Sequence, residues 1–224
     1  MANQPRNTKR ERKDEAKRRR LEELKRRQRK ARLRKLYSTG TVVIVVIGLV
    51  AWIVVARANS TKKDKEINRL AVAAGCEKIQ NPKVIEGTHI NPPATGSYDT
   101  NPPTSGAHYN AAGIGPVATG IHTTPIPNEG QVHNLEHGHI VIQYKQGLDP
   151  ALLTALTDKV KTDAPWMLIA PRADMPFQLA FTAWGHLVGC NTPNSQAVAL
   201  LTAFHDRFKN KGPEQDRPGQ PAGV

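Results

Sequence analysis

An α+β fold behind an N-terminal membrane-spanning helix is what this sequence predicts, and three observations predict it. A charge-free apolar run, TVVIVVIGLVAWIVVA from Thr41 to Ala56, follows a strongly basic arm. Beyond it, helical and strand-like segments come in the order β-α-β-β-α, the pattern of helices covering one face of a small mixed sheet. Between the two lies a long Pro/Gly-rich loop, Asn91 to Gly130, whose composition is that of irregular backbone.

The net charge of +13 is concentrated in the arm, where residues 1–36 hold 17 Lys+Arg against 5 Asp+Glu. The rest of the chain is almost neutral, so the composition argues against a nucleic-acid-binding domain and leaves nucleic acid a weak partner for the arm alone. Its functional reading is attraction to anionic lipid headgroups, and its plain reading is a solvated determinant of topology.

The run from Thr41 to Ala56, extended by Thr39 and Gly40, is just long enough at about 1.5 Å per residue to cross a thin hydrocarbon core. Tyr37 and Trp52 are suited to its interfaces. Ala56-Arg57-Ala58 has the A-x-A form of a cleavage site, but secretory n-regions are short and this one is long and of mixed charge, so an uncleaved anchor fits better. Lys and Arg before the span hold the N-terminus in the cytoplasm and send the rest outside, making a single-pass protein of the cell membrane. The expected organisation is a basic cytoplasmic arm over 1–36, a transmembrane helix over 37–57, a juxtamembrane helix or linker over 58–80, an extracytoplasmic α+β domain over 81–212 and a disordered tail over 213–224.

The two cysteines, Cys76 and Cys190, both fall on the outer side, where an oxidising compartment favours pairing them. Such a bridge closes a loop of roughly a hundred residues and is worth about 4–5 kcal/mol in the chain-entropy model. No C-x-x-C spacing points to a cysteine metal site.

Thr61 to Ala74 has partial helical periodicity and a stop at Gly75. Lys83 to Gly87 (KVIEG) reads as a strand. The loop that follows carries a near-repeat, NPPATGSYDT then NPPTSGAHYN; each Pro-Pro pair stiffens the chain, which suits an ordered wall presenting His108 and Tyr109. GHIVIQY is a strand, Asp149 to Asp163 a helix with Asp149 as N-cap and Pro150 in its first turn, Trp166 to Ala170 a buried strand, Pro176 to Val188 a strand or hairpin arm, and Ser195 to Asn210 an amphipathic helix.

Five of the eight histidines (His108, His122, His133, His137 and His139) fall within 32 residues. Imidazole serves metal ligation and proton transfer near neutral pH. HNLEH, His133 to His137, matches the H-x-x-E-H pattern of one metallopeptidase group. That chemistry needs a helix, and Gly138 followed by IVIQY argues instead for the entry to a strand. On a strand, His137 and His139 share a face, and His133 and His108 join them as ligands of zinc or copper. Glu136 then serves as an oxygen ligand or orients a histidine, with Tyr109 alongside. Two alternatives stay open: a structural hydrogen-bond network, and a metal-free His–Glu acid–base pair. His89, His186 and His205 read as ordinary surface or core residues.

NPPTSGAHY (Asn101 to Tyr109), VHNLEHGHIVIQY (Val132 to Tyr144) and FTAWGHL (Phe181 to Leu187) resemble the bacterial domain-of-unknown-function family 3105, over about Asn81 to Pro213. The resemblance implies a small protein with one N-terminal span and an extracytoplasmic domain. It points at Pro102, Pro103, Ser105, Gly106, His108, His133, Glu136, His137 and Gly138, with Ala107 where a proline is expected and His186 where an arginine is. It implies no activity; an association of some members with copper handling favours copper over zinc. Three functions follow: a transition-metal-binding module, which we prefer; a zinc-dependent hydrolase with Glu136 as base; and an envelope or membrane-complex assembly protein whose partner is another membrane protein.

Overall fold

The computed structural model describes residues 9–215. The chain divides into two units, 1–58 and 59–224. In the first, helix α1 (Lys9–Ala73) begins in the basic arm and runs without a break through the apolar segment. Helix residues Ile44–Ala73 include an 18-residue window with a mean hydropathy of 1.8, long and apolar enough to cross a membrane. Ile44, Ile47, Trp52 and Val54 stand exposed along this stretch. Residues 1–8 of the arm and 216–224 of the expected tail lie outside the described residues.

In the second unit, the last turns of α1 dip into a core. Ile67, Leu70 and Ala71 recur at helical spacing and are buried, which is the half-periodic signal at Thr61–Ala74. A five-stranded mixed sheet forms the centre, in the order β3 (Gly120–Ile121), β5 (Met167–Pro171), β4 (Ile140–Tyr144), β6 (Leu179–Ala183), β7 (His186–Cys190). β4 and β5 are parallel and joined by the crossover helix α3 (Pro150–Thr162), whereas β6 and β7 form an antiparallel hairpin beside β4. α3 starts where its sequence says it should, because the Asp149 carboxylate accepts the Leu152 amide at 2.7 Å and Pro150 needs no donor partner there.

Period-two alternation sends Ile140, Ile142, Met167, Ile169, Leu179, Phe181 and Val188 to one face of the sheet. They pack there against α3, α4 (Ala197–Phe208) and the end of α1. The opposite face, with Val141 and Leu168, is covered by Leu135 of a short helix α2 (Asn128–Glu136) and by Val117, Ile126 and Trp184. This is the expected α+β sheet with helices on one face, with α2 added on the other among the loops.

Three local expectations are corrected. HNLEH is helical up to Glu136, because α2 starts upstream at Asn128. Gly138 is what stops it: with φ +83° it takes the left-handed conformation, donates to Leu135 O, and lets His139 donate to Asn134 O. That pair of bonds is the Schellman ending, and glycine is its preferred residue. The strand therefore opens at Ile140, so His137 and His139 do not share a strand face. Finally, Lys83 to Gly87 is irregular, since the Ile85 amide goes to the Ser105 hydroxyl at 2.9 Å and not to a neighbouring strand.

Cys76 and Cys190 form a disulfide across a sequence separation of 114. Around it, Glu77 and Gln80 donate to Gly189 and Leu187 of β7, so residues 76–80 cover an edge otherwise open to pairing.

Candidate metal centre

The Pro-rich loop is ordered through its own side chains. The Tyr98 hydroxyl donates to Ala107 O at 2.7 Å and the Tyr109 hydroxyl to Ala94 O at 2.9 Å, while Glu129 of α2 accepts the Gly96 amide at 2.9 Å. Burial and the Glu129 carboxylate hold the Tyr98 phenol well above its usual range. Arg172 fastens the loop's far end by donating to Asn101 and Asn128 at 3.0 and 2.7 Å.

Within this frame two short strands, β1 (His89–Ile90) and β2 (His108–Tyr109), pair in parallel with His89 directly beside His108. α2 packs against β2 and contributes His133 and Glu136, which lie one turn apart on one helix face. Four donor atoms, from His89, His108, His133 and Glu136, then fall within 4.8 Å of one another. Glu136 Oε2 is 2.8 Å from His108 Nε2 and 3.8 Å from His89 Nε2. The His108, His133 and Glu136 side chains are in the interior, whereas His89 is 46% exposed.

Backbone carbonyls set the imidazole orientation. His108 Nδ1 lies 2.9 Å from Gly106 O and His133 Nδ1 lies 2.5 Å from Tyr109 O. A carbonyl can only accept, so each Nδ1 carries the proton and each Nε2 keeps its lone pair for the interior of the cluster. Burial, reinforced by His108, His137 and His89, pushes His133 down to about 4 despite the bond to Tyr109 O, so its ring is neutral near pH 7. A metal-binding imidazole must be neutral.

His108 Nε2 and Glu136 Oε2 are both buried, and their contact is not aligned as a hydrogen bond; neither has another hydrogen-bond partner. Buried polar atoms are rarely left so, and an ion between them would satisfy both. Space for the carboxylate depends on Gly87, where a Cβ would stand 2.3 Å from Glu136 Oε1.

The sequence-derived candidates distribute unevenly over this geometry. His108, His133 and Glu136 converge, with Glu136 among the donors and Tyr109 acting through its carbonyl. His137 caps α2, and its Nε2 is 3.1 Å from His133 Nε2 with the rings stacked. The structure does not bring His139 to the group. The Schellman turn carries it to Asn134, 3.1 Å from Nδ1, and to the edge of the Trp166 ring. His122 turns back to Ala118 O. His89 reads from the sequence as an ordinary residue, because no local signal marks it: only the pairing of β1 with β2 delivers it.

The family described as protein of unknown function (DUF3105) matches residues 89–220, more than half of the chain, and the chain belongs to that family. The match begins at His89 itself. No curated protein and no solved structure matches the chain.

Proposed function

We propose that this protein is a membrane-anchored metal-binding module that holds one zinc or copper ion through His89, His108, His133 and Glu136. One observation carries the reading: four donor atoms converge within 4.8 Å, and two of the imidazoles are keyed by backbone carbonyls to present Nε2. Three nitrogens and one oxygen without thiolate suit zinc or divalent copper. His89 stands at the solvent-exposed edge of the group. The apolar helix and basic arm support a single span with the N-terminus in the cytoplasm, and the disulfide supports an oxidising outer compartment for the domain. The arm's charge supports contact with anionic headgroups of the bilayer.

The test uses the full chain in detergent, stripped with a chelator and titrated with zinc or copper. One equivalent per chain is expected, with a rise in melting temperature, and H108A or H133A should abolish both. No uptake at micromolar metal and no thermal shift would overturn the reading and leave the envelope-assembly role, with a membrane-protein partner, in its place. The hydrolase reading gains one point from the structure, since HNLEH does lie on a helix. Glu136 among the donors leaves it poorly placed as a free base, and E136Q separates the two: weakened zinc binding marks a ligand, whereas retained zinc with lost hydrolysis marks a base.

A further inference from the structure

His133 has one lone pair to give. Its Nδ1 is committed to Tyr109 O, so Nε2 alone can bind an ion, and it can bind only one. Yet that Nε2 lies 3.1 Å from His137 Nε2, which in the metal-free protein donates a hydrogen bond to it, since His133 carries its proton on Nδ1. Two nitrogens on one ion, with bonds of about 2.0–2.1 Å, subtend roughly 100° at that spacing, between the octahedral and tetrahedral values. The pair is thus spaced for a single ion, and that ion must be the one His133 would hold in the buried group.

His137 nevertheless stands outside the set whose donors lie within 4.8 Å of one another. Donors on one ion are at most about 4.2 Å apart, twice the bond length; the four donors need only draw in slightly from 4.8 Å to meet that limit, whereas His137 lies outside their set as the group stands. The two facts together describe an exchange position. His133 is shared, the carboxylate and His108 lie on its buried side, and His137 lies on a less buried side at the end of α2.

We infer that His137 is the transfer ligand of this centre: an ion is taken up or released through a His133–His137 pair before or after it is held by His108, Glu136 and His89. The inference rests on the metal-binding reading and adds the direction of traffic. Each step exchanges one neutral nitrogen for another on the ion, with no change of oxidation state; His133 keeps its Nδ1 proton, and His137 moves its proton from Nε2 to Nδ1 through solvent as its Nε2 takes the ion. On this reading His137 governs the rate at which the ion enters and leaves, and the four-donor group its equilibrium affinity.

The experiment follows zinc leaving the full-length protein in detergent into an excess of a chromophoric chelator, by stopped flow, alongside equilibrium competition. H137A and H137Q are compared with H89A and the parent. His137 is a helix C-cap in ordinary right-handed backbone, so the Gln variant keeps a polar cap if the Ala variant folds poorly. The expected result is one equivalent of zinc in both His137 variants, affinity within about threefold of the parent, and release and uptake both slowed at least tenfold. Unchanged rates in H137Q overturn the proposal while leaving the metal site intact. A loss of affinity as large as that of H108A overturns it differently, by making His137 a permanent ligand. Failure of the parent to take up zinc refutes the metal site itself and the transfer role with it.

Discussion

Gly87→Ala adds a single methyl group where the candidate centre has no room for it. The new Cβ would stand 2.3 Å from Glu136 Oε1, against ordinary contacts of 3.4 Å or more, and 3.2 Å from both His108 Cε1 and Trp184 Cη2. The two ring contacts yield by a few tenths of an ångström. The carboxylate must move by about 1 Å, several times the ±0.2 Å within which ligand distances are held. Gly87 is not in left-handed backbone, and a carboxylate at the end of a flexible side chain can swing aside. The metal-free fold should therefore lose no more than about 1 kcal/mol. Zinc affinity should fall about 10–100-fold, the range for disturbing groups that orient a metal ligand, or roughly 1.4–2.7 kcal/mol. Chelator competition on the full chain in detergent measures the second quantity and urea unfolding of the stripped protein the first. Parent-like zinc affinity in G87A, in a protein where E136Q is weakened, would refute the placement of Glu136. Parent-like affinity in both would remove Glu136 from the ligand set.

Three further outcomes are expected. H139A should keep its zinc affinity while H108A loses it, since His139 packs on Asn134 and Trp166 away from the cluster; isothermal titration decides, and equal losses would contradict the geometry. Replacing Cys76 and Cys190 by Ser should cost about 4–5 kcal/mol for a loop of this length, read as a lower urea midpoint. His186, held at about 4 chiefly by burial and by Arg207 against the pull of Asp64, is neutral in both states above pH 6.5. Below that, the unfolded chain binds a proton that the fold refuses, so stability falls between pH 6.5 and about 4, by up to about 3 kcal/mol. H186N should flatten that part of the pH–stability curve of the stripped protein.

How much of this was legible beforehand depends on whether a feature is local. α3 is legible because Asp149 and Pro150 punctuate its start, β4 because its residues alternate, and β5 because it is a short apolar run; β6 and β7 read together as one strand or hairpin arm. α2 is not legible, for a physical reason: every residue from Glu129 to Glu136 is buried, so the helix has no solvated face and shows no amphipathic stripe. With that signal missing, Gly138 reads as barring a helix, whereas its left-handed φ ends one. His108, His133 and Glu136 were legible as chemistry, by residue type and crowding. His89 was not, because it reaches the group through a two-residue parallel pairing that leaves no periodicity.

The same contrast bears on how the centre is held. None of its donors sits on the five-stranded sheet: His89 and His108 come from two-residue strands in a loop, and His133 and Glu136 from one nine-residue helix. An isolated helix of that length is marginal in water, so α2 must be held by its surroundings. The Schellman turn closes one end, Leu135 anchors it to Val141 and Leu168, and the chain after α4 braces it from outside. There Asn210 donates to Gly138 O, Glu214 donates to Glu136 O, and Gly212 fits against the Glu136 carbonyl where a Cβ would stand 1.9 Å away. That brace touches backbone at the residue whose carboxylate enters the donor group. Loosening it should therefore cost metal affinity before it costs the fold, because the sheet and its three-helix face share none of these contacts. Gly212→Ala separates the two quantities: zinc affinity should drop while the unfolding midpoint of the stripped protein moves little. A midpoint that collapses together with affinity would show that α2 and the sheet fold as one cooperative unit.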